Sequence, residues 1–288
     1  MNPALHKLGL TPTDRVVILH VDDVGVCEAS VSGVDDLWQV GMISSSAVMV
    51  PCPWFPAAAA LCRAKPNIDM GVHLTLTSEW DTMRWGALST RDITSGLIDS
   101  EGYFYRSYSA CVEQGDPTAV QVEFDAQVTR AIGAGIQPTH IDSHMGTAHH
   151  PRFLATYVAT AIKHKLPIFM PRRQALGDEH FANLARQQIE LLDNAGIATV
   201  DYYGWTRLES HEDKAGELKQ ALSQLQPGIT HFLMHPAKDT PELRVLCPDW
   251  RARTAEYTTL LQPDLRQWMS KQGIHVIGYR DLMTAVPT

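Results

Sequence analysis

Short apolar runs rich in β-branched residues alternate with longer segments of helical periodicity through most of this chain. The alternation constrains the fold strongly, because strands joined by helices form parallel sheets that the helices cover. The candidate strands are residues 16–21, 45–50, 70–74, 139–142, 168–171, 198–201, 230–234 and 274–278. The clearest candidate helices are residues 31–39, 57–64, 118–132, 153–164 and 181–194. About eight strands in 288 residues fit an α/β fold of the distorted (β/α) barrel type, with parallel strands and outer helices, better than an open sheet.

One stretch of the chain, from residue 78 to residue 115, departs from this alternation. It shows no sustained period and is rich in Trp, Tyr, Ser and Gly. Long irregular loops in compact domains are usually functional or disordered, and the aromatic content argues against disorder. No linker or repeat divides the chain, so we expect a single domain over residues 1–288 with an irregular active-site loop at about 78–115.

The charge balance limits the partners of the chain. It carries 24 Lys and Arg against 32 Asp and Glu, for a formal net charge of -8, so no nucleic-acid partner is expected. The first residues lack the basic and apolar regions of a secretion signal, and no apolar run is long enough to cross a membrane. We therefore expect a cytoplasmic protein that contacts neither nucleic acid nor membrane.

The first candidate site is the paired acid Asp22-Asp23, which ends an apolar run. Enzymes built on parallel strands collect their catalytic groups at the C-terminal ends of those strands. Neighbouring strand residues point to opposite faces, so the two carboxylates cannot have the same role unless the strand has already turned. One could bind a metal while the other acts as a base. The alternative is that the pair caps the helix that follows.

Histidines accompany three further candidate strands. His73 lies within the third, where a lone histidine could equally be a hydrogen-bonded core residue. His140, Asp142 and His144 are spaced i, i+2, i+4 and share one face of an extended chain. The alternative interpretation is that these three polar side chains simply face solvent. His235 follows the seventh strand, where it could instead cap or support a neighbour.

These groups all come at strand ends, and a closed barrel gathers them on one rim. Two histidines with one carboxylate leave positions open on a bound cation for water and substrate. A divalent cation there lowers the pKa of its water and polarises an acyl oxygen, and the spare acid can take the proton from that water. The residues therefore predict a metal-dependent hydrolase, although the same ligand set also suits a mononuclear iron oxygenase.

At these residues the chain resembles the YdjC/ChbG family of carbohydrate deacetylases. The family pattern is an apolar strand that ends in DD-x-G, followed in order by G-x-H-L-T-L, T-H-x-D-S-H and H-P-[AG]. The matching segments here begin at Asp22, Gly71, Thr139 and His235. The resemblance extends in order from about residue 15 to residue 282.

The resemblance implies a distorted (β/α) barrel of the NodB/YdjC type that removes an acetyl group from an N-acetylated amino sugar or oligosaccharide. Asp23, His73 and His144 would bind one divalent metal ion, with zinc or magnesium expected first and iron, cobalt or nickel also compatible. Asp22 would be the base that activates the water on the metal. His235 would be the acid that protonates the leaving amine.

Around this centre the resemblance implies residues that support the ligands or contact the substrate. Asp142, beside His140, would orient a ligating or catalytic histidine. Separately from the resemblance, the aromatic composition of the irregular loop predicts that Trp80 and Trp85 stack on a sugar ring. Arg172 is the nearest candidate for an arginine that the family carries near the fifth strand.

The chain departs from the family in two places near the site. His20 and Val21 stand where the family commonly has N-A before the acid pair, and Met145-Gly146 follow His144 where characterised chitooligosaccharide deacetylases have further histidines. The chemistry therefore transfers better than the identity of the sugar. A catalytically silent sugar-binding relative is the third hypothesis, and the retained base and acid argue against it. The expected partner is a small acetylated sugar, with a homodimer as the commonest kind of assembly.

Overall fold

The computed structural model of the protein describes residues 2–173 and 179–284. Within these ranges the strands of the sheet pair in parallel with their neighbours. The strands are β1 (Arg15–Val24), β2 (Ser45–Val48), β3 (Met70–Leu74), β4 (Ile141–Ser143), β5 (Tyr202–Trp205), β6 (Gly228–Met234) and β7 (Ile274–Val276).

The strand β1 lies in the middle of the sheet and pairs with three other strands. One edge lies beside β6, from Arg15 opposite Gly228 to Val21 opposite Met234. On the other edge β7 pairs with the start of β1, and β2 pairs with it from His20 onward. The hydrogen-bonded order is β4-β3-β2-β1-β6-β5, with β7 attached to β1. Strands that are distant in the chain therefore meet in the middle of the sheet.

Single bridges join β4 to β5 around the far side of the sheet. Ile141 pairs with Ile168, and Pro171 pairs with Val200. Residues 198–201 then lead directly into β5, which lies beside β6. The two edges of the sheet are thus connected, and the strands close into a barrel. The curled parallel sheet with its outer helices confirms the predicted distorted (β/α) barrel.

Two of the predicted strands differ from the structure. Residues 168–171 and 198–201 make only single bridges, and the regular strand on this side begins just after the second of them. Proline supplies the reason, because Pro167 and Pro171 have no N–H to donate to a ladder. Both segments nevertheless lie in the barrel wall.

Helices cover the outside of the barrel. Pro117 and Pro151 begin their helices, where a missing N–H leaves no donor unsatisfied. Gly41 and Gly196 follow helices with φ angles of +68° and +70°, the left-handed conformation that often ends a helix. No helix in the described ranges is long and apolar enough to cross a membrane. The helices are α1 (Pro3–Lys7), α2 (Glu28–Gln39), α3 (Phe55–Ala64), α4 (Tyr108–Gln114), α5 (Pro117–Gly133), α6 (Pro151–His164), α7 (Glu179–Asn194), α8 (Lys214–Ser223), α9 (Pro241–Leu246), α10 (Trp250–Leu260), α11 (Asp264–Lys271) and α12 (Tyr279–Thr284).

The two faces of β1 have different surroundings. Leu19 belongs to the large apolar core that the strands share with the helices, whereas Ile18 belongs to a smaller cluster on the other face. Each such fully buried aliphatic side chain contributes roughly 1.5–3 kcal/mol. Because side chains alternate along a strand, His20 and Asp22 lie on the same inner face as Ile18. The pattern that buries β1 thus also directs polar groups into the barrel.

The irregular segment at residues 78–115 is folded against the barrel. It contains a short 3-10 helix and α4, and Tyr105 bridges to Thr77 at the end of the preceding segment. Trp85 and Phe104 are buried, and the indole N–H of Trp85 donates to the carbonyl of Thr77 at 2.7 Å. Its own buried aromatic residues therefore hold the segment beside the strand ends.

Candidate metal centre and active site

A reversal of the backbone at Asp23 brings both acids of the pair to the same side. Asp23 has a φ of +62°, in the left-handed region that aspartate tolerates better than most residues. The register between β1 and β2 shifts between Val21 and Val24, so the regular strand geometry is interrupted at the acid pair. The helix-cap alternative is wrong, because α2 begins after Cys27 and no side chain of the described chain caps it.

Three donor atoms converge at this end of the barrel. Oδ1 of Asp23 lies 3.5 Å from Nε2 of His73 and 3.2 Å from Nδ1 of His144, and all three atoms lie within 4.8 Å of one another. All three residues are buried. That oxygen of Asp23 receives no hydrogen bond from any residue that the structure describes. Nitrogen and oxygen donors in this arrangement suit a divalent cation.

Carboxylates hold the far nitrogen of each histidine. Oδ1 of Asp142 lies 2.7 Å from Nδ1 of His73, and Oε2 of Glu79 lies 3.0 Å from Nε2 of His144. Metal-binding histidines usually donate their second N–H to such a group, which fixes the ring and leaves the other nitrogen available to the ion. The residues present therefore fit a bound divalent cation.

Arg253 neutralises the outer oxygen of Asp23. Its Nη1 lies 2.8 Å from Oδ2 of Asp23, and its Nε lies 3.0 Å from Oδ1 of Asp249. The arginine side chain is buried, so little solvent screens the pair. One oxygen of Asp23 is thus held by the protein, and the other faces the histidines.

The buried charges shift one another's pKa values. Burial alone would raise the pKa of Asp23, but Arg253 and His144 hold it well below its usual range. Burial lowers the pKa of His144, but Glu79 and Asp23 outweigh burial and raise that pKa to about 9. In the metal-free protein His144 therefore carries a proton at neutral pH that an incoming cation must displace.

Asp22 and His235 lie beside this donor set. Oδ2 of Asp22 is 3.7 Å from Nε2 of His235 and 4.0 Å from Nε2 of His73. Burial raises the pKa of Asp22, but His73 and His20 bring it below its usual value, so the carboxylate is ionised at neutral pH. His235 is 15% exposed, and its Nδ1 has no hydrogen-bond partner among the described residues. The pair presents a proton acceptor and an imidazole to a bound molecule.

The site opens into a cavity of about 1150 Å³. The irregular segment contributes part of the wall, and the ring of Trp85 lies 6.5 Å from that of His144. The aromatic residues that line the cavity are Trp80, Trp85, Tyr108, Phe169, Phe181, Tyr203 and Trp205. A bound molecule would therefore lie between the polar strand ends and an aromatic wall.

Two of the predicted residues lie away from the cavity. His140 is fully buried in the barrel interior, where its ring stacks on Tyr279 with centroids 3.8 Å apart. It precedes Asp142 by two residues on the inner face, so it lies one layer deeper and packs as a core histidine. The guanidinium of Arg172 pairs with Asp193 on α7, and the structure does not bring it to the site.

Three residues that contact the centre were not predicted. His20 lies two residues before Asp22, so strand alternation could have placed it on the same face. Glu79 begins the irregular segment shortly after β3, where its position also offered a signal. Arg253 is 230 residues away from Asp23 in the chain and lies on a helix, so no local pattern connects the two.

The fold is a distorted (β/α) barrel. At its strand ends a buried Asp-His-His donor set lies beside an ionised carboxylate and an imidazole. The protein therefore belongs to the class of barrel proteins that carry a candidate metal site at the strand ends. Residues 16–271 match the model of the YdjC-like protein family. The chain belongs to that family.

Relatives of known name cover nearly the whole chain. A carbohydrate deacetylase of Thermus thermophilus is 31% identical over 294 residues, which cover 98% of each protein. A carbohydrate deacetylase of Thermoanaerobacter pseudethanolicus is 25% identical over 265 residues, 92% of this chain and 98% of the relative. A solved structure from Enterococcus faecalis V583, named for cellobiose-phosphate cleavage, has a TM-score of 0.77 at 23% identity and covers 93% of this chain and 99% of its own. That likeness supports the fold alone.

Proposed function

We propose that the protein is a metal-dependent hydrolase that removes the acetyl group from an N-acetylated amino sugar or oligosaccharide. The observation that carries the proposal is the position of Asp22 and His235 beside the donors of Asp23, His73 and His144. Hydrolysis of an amide uses a base and an acid next to such a cation, whereas sugar binding alone needs neither. The names of the two deacetylase relatives agree with this reaction.

The proposed roles of the residues are compatible with their positions. Asp23, His73 and His144 would hold one divalent cation, with zinc and magnesium as the leading candidates. When bound, the cation would polarise the acyl oxygen and lower the pKa of the attacking water. Asp22 takes a proton from the attacking water as the water oxygen bonds to the acetyl carbon. His235, in its protonated form, gives a proton to the amine nitrogen as the C–N bond breaks, so acetate and the free amine leave.

The aromatic wall supports a sugar as the substrate. Aromatic rings offer broad apolar surfaces on which the C–H faces of a sugar can stack. The ring of Trp205 is 50% exposed and stacks on Tyr203 with centroids 5.6 Å apart, which makes a flat platform in the cavity wall. The cavity of about 1150 Å³ exceeds the usual range of roughly 300–1,000 Å³ for ligand pockets, so an oligosaccharide also fits.

Asp22→Asn tests the proposal because it keeps the size of the side chain and removes its basicity. Metal-loaded wild-type protein should release acetate from a panel of N-acetylated mono- and oligosaccharides. The variant should lose roughly 10²- to 10⁴-fold in rate and still bind the cation. Asp264→Asn, at an exposed position on α11, is the control and should behave as the wild-type protein does.

The outcomes separate the hypotheses. Acetate release that survives in Asp22→Asn would remove Asp22 as the base. A cation-loaded protein that releases no acetate from the panel would refute the deacetylase proposal. Oxygen uptake that depends on a co-substrate would instead support the iron oxygenase that the same donors allow. A cytoplasmic location and a homodimer stay predictions.

A further inference from the structure

His20 lies in the barrel interior directly below the acid pair, and the proposed reaction gives it no task. The residue is fully buried. Its Nε2 lies 2.9 Å from Oδ2 of Asp142 and 3.1 Å from Oδ1 of Asp22, and its Nδ1 lies 3.0 Å from Oγ of Ser45. Both carboxylate oxygens thus lie within ion-pair distance of the same ring nitrogen. The two carboxylates therefore share any proton that is bound to Nε2 of His20.

The partners of Ser45 decide where one proton of the ring lies. The Ser45 hydroxyl donates to Oδ1 of Asp69 at 3.1 Å. Asp69 also accepts from the hydroxyl of Thr139 at 2.5 Å and from the backbone N–H of Arg280 at 2.7 Å, so its carboxylate acts only as an acceptor. The oxygen of Ser45 is then left to accept a hydrogen bond, and Nδ1 of His20 must carry the proton that it donates.

The second nitrogen faces two negative charges. A neutral His20 would direct the lone pair of Nε2 at both carboxylates, and both contacts would be repulsive. A proton on Nε2 makes them attractive and places a positive charge between two buried negative ones. Burial alone lowers the pKa of His20, but Asp142 and Asp22 raise it to about 9. The rings of His231 and His140, at 4.4 and 5.0 Å, add no competing charge, because burial lowers the pKa of both.

We propose that His20 is a positioning residue: the N–H that it shares between Asp22 and Asp142 holds Oδ1 of Asp22 inward and leaves Oδ2 facing the site. This inference rests on the proposed function, in which Asp22 is the base. Asp142 accepts from His73 through its other oxygen, so one carboxylate joins His20 to a predicted metal ligand.

Leucine and glutamine variants of His20 separate positioning from packing. His20→Leu removes the shared N–H, and kcat for acetate release should fall roughly 10- to 100-fold while KM changes little. His20→Gln keeps an N–H donor of similar reach and should recover most of the loss. Tyr279→Phe is the matched control, because it removes a buried 2.8 Å hydrogen bond to His231 without touching either carboxylate. It should lower the melting temperature and leave kcat unchanged.

Nitrogen-15 NMR gives a measurement that does not depend on activity. In the metal-loaded protein at neutral pH, the ring of His20 should show two protonated nitrogens, and both signals should disappear in His20→Leu. If the wild-type protein releases no acetate, the proposed function fails, and the NMR signals still decide whether the charged bridge exists.

Several results would overturn the inference. One is a single protonated nitrogen in the ring of His20, and another is an unchanged kcat in folded His20→Leu. A glutamine variant as slow as the leucine variant would show that the shared N–H is not the cause. A second cation that is bound by the wild-type protein and lost in His20→Leu would also overturn it, because His20, Asp22, Asp142 and His231 offer donor atoms within 4.8 Å of one another.

Discussion

Replacing Glu79 by glutamine removes one negative charge behind a predicted metal ligand and changes little else. Oε2 of Glu79 lies 3.0 Å from Nε2 of His144, and the Glu79 side chain is 24% exposed. Glutamine has the same length, and its amide oxygen can still accept the N–H of His144. The variant therefore keeps the orientation of the ring and loses the charge that makes its other nitrogen more basic.

Two effects of this charge on metal binding oppose each other near neutral pH. Loss of such a carboxylate weakens binding by about 10- to 100-fold, or about 1.4–2.7 kcal/mol. In the wild-type protein the pKa of His144 is about 9, so below that pH a proton competes with the cation, by about 100-fold at pH 7. Without Glu79 the pKa of His144 falls and the competition weakens. The loss of metal affinity in the variant, relative to the wild-type protein, should therefore be largest near pH 9 and become smaller towards pH 7.

Calorimetric titration with the metal at about pH 7 and about pH 9 measures both effects. Buffers of different ionisation enthalpy report how many protons leave, and the variant should release fewer than the wild-type protein near pH 7. Asp81→Asn, in the same segment and with a side chain that is 94% exposed, should match the wild-type protein at both pH values. Two results would refute the view that Glu79 acts through His144. One is a variant that binds the metal as tightly as the wild-type protein near pH 9, and the other is a loss of metal affinity that does not change with pH.

Arg253→Met should destabilise the metal-free protein by about 3–5 kcal/mol in urea unfolding, because it removes the buried guanidinium that pairs with Oδ2 of Asp23 and Oδ1 of Asp249. As a control, Arg251→Met at an exposed position should lower the free energy of unfolding by less than about 0.5 kcal/mol. Equal losses of stability in the two variants would contradict the role of the buried pair. Removal of the cation by a chelator should lower the melting temperature, by the equivalent of about 2.7 kcal/mol if free metal had stood at about 100 times Kd; an unchanged melting temperature would count against the site. Trp205→Ala should raise KM by up to roughly tenfold with kcat retained, and an unchanged KM for every sugar tested would exclude a stacking platform there.

The barrel and the position of the donor set could be predicted from local patterns. His73 and His144 each accompany an apolar strand, and a closed barrel brings strand ends together whatever lies between them. The pattern also placed Asp142 on the same face of the chain as His140 and His144. It failed at residues 168–171, where apolar character suggested a regular strand and proline removed the donors that a ladder needs.

The remaining errors concern contacts that depend on tertiary structure. The left-handed backbone of Asp23 is set by the packing around the strand end, which periodicity does not describe. Arg253 reaches Asp23 across most of the chain, so only the folded structure reveals the pair. Arg172 follows a strand-like segment, but a segment held by single bridges has no regular alternation, and the side chain turns to a carboxylate on the outer helix.

The central position of β1 has a consequence for how the protein is made. Its partner β2 follows within about 20 residues, but about 200 residues separate the end of β1 from the start of β6. At roughly 5–20 residues per second, a ribosome needs about 10–40 s to synthesise that stretch. Throughout that time one edge of an apolar strand stays unpaired, and such edges recruit other chains. The yield of active protein should therefore depend on chaperones that shield the nascent N-terminal strands until β6 and β7 emerge.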